Sequence, residues 1–139
     1  MILEGLAKLN DFKSIIYKMN GINSRSIENL APLLQKRLPH HLEELKIIDC
    51  KMAGSLIEQL MTTIMKQSQL RKLALVNILH SDGPFLMVVE YLQQSHHLQE
   101  LDVSWSTVRP QTTKKLIEAL KDNRQLTCLS LAFNNLLQK

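Results

Sequence analysis

At 139 residues the chain has the material of one domain, and 45% of it is apolar. Only 4% is aromatic, so aliphatic side chains, leucine above all, must fill any core. The longest apolar run, Phe85–Val89, is far below the ~18 residues that predict a membrane-spanning helix, and a net charge of +4 is too weak by itself to mark a nucleic-acid binder.

The predicted elements follow a repeating order. Ile2-Leu3-Glu4-Gly5-Leu6 has the pattern of a helix entered midway. Phe12-Ile15-Tyr17 is a loose copy of the fragment L-x-x-L-x-L. The fragment then recurs cleanly as Leu42-Leu45-Ile47, Leu70-Leu73-Leu75, Leu98-Leu101-Val103 and Leu126-Leu129-Leu131. The clean copies are 28 residues apart, and the loose one stands 30 residues before the first. Alternation within each copy predicts a short strand. Between strands the apolar spacing turns helical. Ile27 and Leu30 begin the first stripe, in which Pro32 predicts a kink; its alignment with Glu90 and Glu118 points the bend toward solvent. Two extra residues within 37–41 explain the longer first spacing. Leu56, Leu60, Met61 and Ile64 form the second stripe. Ser81 and Asp82 resemble an N-cap, with Pro84 in the first turn and Val88, Val89, Tyr91 and Leu92 as the stripe. Ser104–Arg109 reads as a polar turn, Pro110 stands where the last helix begins, and Leu116, Ile117, Ala119 and Leu120 follow at helical spacing. Asn123 and Gln125 lead back to Leu126.

A 28-residue period with apolar residues at these offsets resembles the ribonuclease-inhibitor-like subclass of leucine-rich repeat proteins. The clearest match to L-x-x-L-x-L-x-x-N-x-L runs from Leu126 through Leu129, Leu131 and Asn134 to Leu136. The resemblance implies an α/β leucine-rich repeat solenoid, a horseshoe with a parallel sheet on the concave side and helices on the convex side. It implies one repeat domain over residues 1–139 with about five strands. Neither end carries the polar outer face of a terminal cap, so the expectation is either a fragment of a longer array or ends covered by another chain, end-to-end self-association included. In the family an Asn or Cys closes the turn after each strand by bonding neighbouring backbone. The equivalent positions are Asn20, Cys50, Ile78, Ser106 and Asn134. Ile78 cannot make that bond, so the ladder should break at the third layer. The family's glycine a few residues further on is largely missing, which places the chain in a divergent branch.

In this register the outward strand residues form columns on the concave face. One runs Ser14, Glu44, Lys72, Glu100, Cys128, and the next Ile16, Lys46, Ala74, Asp102, Ser130. Beyond them come Lys18, Ile48, Val76, Ser104, Ala132 and then Met19, Asp49, Asn77, Trp105, Phe133. From these columns the candidate partner-binding residues are Lys46, Ile48, Asp49, Lys72, Val76, Asn77, Glu100, Asp102, Trp105 and Phe133. Trp105, the only tryptophan, is either an aromatic anchor beside Phe133 or a seal over the strand-to-helix turn. The face is mixed in sign. The basic excess falls on helices and returns, at Lys36, Arg37, Lys66, Arg71, Lys114, Lys115, Lys121 and Arg124.

Catalytic chemistry finds no support in the residues. His40-His41 and His96-His97 are two layers apart, about 10 Å at ~4.8 Å per layer, too far for one zinc ion. His80 is isolated. No G-x-S-x-G elbow and no phosphate-cradling glycine loop is present. Cys50 and Cys128 are three layers, ~14 Å, apart and cannot form a disulfide. Two unpaired thiols and no h-region after Met1 predict a cytoplasmic, intracellular protein. The expectation is a non-enzymatic interaction module or scaffold with a protein partner, no cofactor or metal, no small-molecule substrate and no membrane. Two alternatives stand beside it. One is a regulator of a small GTPase, similar to Ran GTPase-activating proteins; Arg25 and Arg109 stand on strand-to-helix loops, but no motif assigns either a role. The other is nucleic-acid binding through the basic helical face, against which the lack of interleaved aromatics argues.

Overall fold

Among the described residues each copy of the leucine fragment contributes a strand, and the stripes between the strands form helices. The computed structural model describes residues 13–19, 21–34, 42–67 and 69–134. Along these the elements alternate as β1 (Ser14–Lys18), α1 (Ser24–Leu34), β2 (Glu44–Ile48), α2 (Gly54–Gln67), β3 (Lys72–Val76), α3 (Asp82–Gln94), β4 (Glu100–Asp102), α4 (Pro110–Asp122) and β5 (Cys128–Ser130). The strands make one parallel sheet in the order β1-β2-β3-β4-β5. Consecutive parallel strands need a crossover, and the helices supply it. Among the helices, contacts run only between neighbours in chain order. The molecule is therefore α/β, with a five-stranded parallel sheet and four helices among the described residues.

The register follows the sequence period. Leu45 pairs with Leu73, Leu73 with Leu101 and Leu101 with Leu129, while Ile15 pairs with Leu45 across the 30-residue step. These leucines point inward. Leu45, Leu73 and Leu101 are at most 1% exposed, and Ile47, Leu75 and Val103 match them two residues on. Each fully buried aliphatic side chain contributes roughly 1.5–3 kcal/mol relative to exposure. The helices close the other side of the core with Ile27, Leu30, Leu60, Met61, Ile64, Phe85, Val88, Leu92, Leu116 and Ala119.

Some helical residues differ from expectation. Ile57, outside the predicted stripe of α2, is buried, whereas Leu56 is only partly so. Ile117 is 52% exposed, although its register equivalents Val89 and Met61 are 4% and 0% exposed. Val89 and Met61 lie on helices covered by a following helix, and no described helix follows α4. For the same reason Leu126, Leu129 and Leu131 are only partly buried. Helix α1 includes Pro32 and ends at Leu34, so the proline does not end the helix. Arg25 lies in the first turn of α1 and not on a loop. The expectations for Ile2–Leu6, Phe12, Asn20, Lys36, Arg37, His40, His41 and Leu136 fall outside the described residues.

Polar groups tie one layer to the next. Asp82 does not serve its own helix as an N-cap; its carboxylate accepts the Arg109 backbone N–H at 3.0 Å and the Thr112 hydroxyl at 2.6 Å. It thus caps α4 from the preceding layer and also holds the Arg109 guanidinium. These bonds pull the Asp82 carboxyl down to about 2 from the usual 3.8, the Thr112 bond contributing most. Ser81 makes no side-chain cap bond. At the helix ends, Ser95 and Asn123 occupy equivalent places. The Ser95 hydroxyl accepts the Leu98 N–H, the Asn123 carbonyl accepts the Leu126 N–H, and the Asn123 amide also donates to the Leu92 carbonyl at the end of α3. In the turns after the strands, Asn134 donates to the Val103 carbonyl and accepts the Ser106 N–H, and Ser106 donates to the same carbonyl. The Cys50 thiol reaches the Ile48 carbonyl at 3.4 Å. Ile78 has only its buried apolar side chain to offer in that row.

Candidate protein-interaction surface

Because side chains alternate along a strand, the residues between the inward leucines stand together on the open face of the sheet. Ten positions of interest come together there in two groups. Lys46, Ile48, Lys72, Glu100 and Asp102 line a hollow of about 230 Å³ on the sheet face. Its floor is Ala74, an outward position that is only 6% exposed because longer neighbours overhang it. Cys128 and Ser130 complete the wall. Asp49, Asn77, Trp105 and Phe133 form a ridge along the ends of the strands. Val76, half-buried, lies beside that ridge at the end of β3.

Most charges on the face are matched within it. The Lys46 ammonium lies 2.9 Å from Glu44, two residues back on the same strand, and Lys72 lies 3.0 Å from Glu100 on the next strand. The Ser14 hydroxyl donates to Glu44 at 2.6 Å. That bond, helped by Lys46, holds the Glu44 carboxyl below its ordinary range. The bond to Glu100 raises Lys72 above its own. Asp102 accepts the Ser104 backbone N–H at 2.9 Å and forms no ion pair among the described residues.

The ridge has an unusual backbone. Met19, Asp49, Asn77, Trp105 and Phe133 all take left-handed conformations, with φ between 54° and 59°. For residues with a side chain this costs roughly 1–2 kcal/mol each. The conformation is held by the sheet itself, since the N–H groups of Met19, Asp49, Asn77 and Trp105 donate to Ile48, Val76, Ser104 and Ala132 of the following layer. The side chains are thereby free of structural duty and stack along the ridge. The Asn77 amide donates to Asp49 at 2.9 Å, and the Trp105 and Phe133 rings stack with centroids 4.3 Å apart. Trp105 keeps 51% of its surface exposed and Phe133 73%. Ser104 lies differently from its column: it is buried and hydrogen-bonds the Ser130 hydroxyl at 2.8 Å.

Two exposed apolar residues, Ile16 and Met19, belong to the same surface and were not among the candidate residues; their columns in the 28-residue register carry the signal that finds them. Both cysteines are free, Cys50 buried and Cys128 exposed. His96 and His97 are exposed, and among the described residues no three His, Cys, Asp or Glu side chains are placed to share a metal ion. The basic residues Lys66, Arg71, Lys114, Lys115, Lys121 and Arg124 are exposed on helices and returns. No described helix is long and apolar enough to cross a membrane. No protein-family model matches the chain, and no curated protein is significantly similar to it.

Proposed function

We propose that this chain is a leucine-rich repeat solenoid of the ribonuclease-inhibitor-like kind, acting inside the cell as a non-catalytic protein-binding module. The contact surface is the open sheet face together with the left-handed ridge. One observation carries the reading. Of the large apolar side chains left exposed among the described residues, Ile16, Met19, Trp105 and Phe133 lie on the sheet side, and only Ile117 lies on a helix. Exposed aromatic residues of this kind anchor protein interfaces, and the stacked Trp105 and Phe133 rings form one joined apolar patch. The hollow on the sheet face is shallow, which suits a side chain of a protein partner better than an enclosed substrate.

Of the two arginines behind the GTPase-regulator alternative, Arg25 belongs to α1, and Arg109, on its loop, is exposed and paired with Asp82. The test is affinity capture from source cells with wild type and with the double variant W105A/F133A, compared by quantitative mass spectrometry. A set of proteins retained by wild type should be lost from the variant, with the far-ultraviolet spectrum unchanged. An identical set on both baits overturns the proposal.

A further inference from the structure

Charge on the sheet face is not evenly satisfied. The lysines of the hollow are each held by a carboxylate, Lys46 by Glu44 and Lys72 by Glu100. Within the hollow Asp102 is the exception: one of its oxygens accepts a backbone N–H, and no cation among the described residues pairs with it. Its charge faces the small floor at Ala74, where the hollow has room for an incoming side chain. Three residues further along the chain is Trp105, stacked on Phe133, so at a rise of about 3.3 Å per residue the Cα atoms of Asp102 and Trp105 are at most ~10 Å apart. In an extended peptide, side chains two positions apart face the same way and stand ~6.6 Å from one another.

Resting on the protein-binding reading above, we propose that the β4–β5 end of the face selects an extended partner segment with a basic residue, arginine above lysine, two positions from a large apolar residue. The basic group enters the hollow and pairs with Asp102, and the apolar residue covers the Trp105–Phe133 stack. Charge complementarity chooses the basic residue, because any acidic side chain placed there adds to an unmatched carboxylate. Geometry chooses arginine, whose planar guanidinium meets a carboxylate through two parallel N–H bonds and whose weak hydration eases its entry beside aromatic rings. An acidic segment and a wholly apolar segment are the competing occupants.

The probe is a displayed library of random dodecapeptides, selected in parallel on wild type, Asp102→Asn and W105A/F133A. Asparagine keeps an acceptor for the Ser104 N–H, so D102N removes the charge without removing the turn. On wild type we expect Arg and Lys enriched at least fivefold over Asp and Glu at a position two from Leu, Ile, Phe, Tyr or Trp. On D102N that enrichment should fall below twofold while the apolar preference persists, and on W105A/F133A both should vanish. Enrichment of acidic residues, a basic preference that survives D102N, or no enrichment overturns the inference. Peptides that need Trp105 and Phe133 but show no charge preference also overturn it, and they leave the protein-binding reading standing. That reading falls only if the captured cellular proteins ignore W105A/F133A as well.

Discussion

Met19 offers the cleanest check that the ridge is held in a left-handed conformation. Its φ is 55°, its side chain is 76% exposed, and its N–H donates to the Ile48 carbonyl whatever side chain it bears. Compare Met19→Ala with Met19→Gly. Alanine keeps the clash between Cβ and the following carbonyl oxygen, which costs roughly 1–2 kcal/mol in this region. Glycine removes it but loses about 0.5–1 kcal/mol through the greater freedom of the unfolded chain. The difference favours glycine by up to about 1.5 kcal/mol. For a chain of 139 residues, an unfolding entropy of roughly 2.1 cal/mol/K per residue turns 1 kcal/mol into about 3 °C of Tm. The control is Lys115, exposed on α4, where glycine should fall below alanine by about 1 kcal/mol. Calorimetry or thermal circular dichroism on the four variants reads the result. The sign must invert between the two sites; a Met19→Gly variant less stable than Met19→Ala would refute the left-handed assignment and the side-chain directions argued from it.

Three further outcomes test the layers and their ties. Leu101→Ala, in a fully covered rung, should cost about 2–5 kcal/mol by urea denaturation, whereas Leu129→Ala, its half-buried equivalent, should cost about 1 kcal/mol; equal costs would contradict the register. Asp82 has a folded pKa of about 2, below the ordinary 3.8, so its contribution is complete above the ordinary value and is lost as the pH falls through about 2. Asp82→Asn should therefore show a shallower loss of Tm than wild type on acidification from about pH 5 to pH 2, and parallel curves would remove Asp82 from the clamp. An aromatic disulfide reagent should titrate one thiol per native chain, Cys128, and two only after denaturation; two fast thiols would mean that Cys50 is not buried.

The parallel sheet and its register were legible in the sequence because they depend on a period. Leucines 28 residues apart can reach equivalent places only if the chain returns to the same point, and Leu45, Leu73, Leu101 and Leu129 do pair as adjacent rungs. What escaped depends on neighbours that a periodic pattern cannot register. Ile117 carries the same stripe position as Val89, and only the presence or absence of a covering helix separates them. Ser104 occupies an outward column yet is buried, because it finds the Ser130 hydroxyl across the sheet. Asp82 looked like the cap of its own helix, but the nearest unsatisfied N–H at its carboxylate belongs to Arg109 of the next layer. The ridge conformation was hidden for a different reason: left-handed backbone is usually announced by glycine, and none of its five residues is one.

That last point ties the fold to the proposed contact surface. At the inward positions the side chain is the structure, and the residue type scarcely varies from leucine, isoleucine and valine. On the ridge the backbone hydrogen bonds to the next layer do the holding, so the side chain can be Met, Asp, Asn, Trp or Phe without altering the turn. The same backbone thus presents a thioether, a carboxylate, an amide, an indole and a phenyl group in single file, about one strand spacing apart. A row whose geometry is constant and whose chemistry is free can match a partner position by position. Asp102, on β4 and not on the ridge, is where the proposed preference for positive charge arises, since no cation among the described residues pairs with its carboxylate.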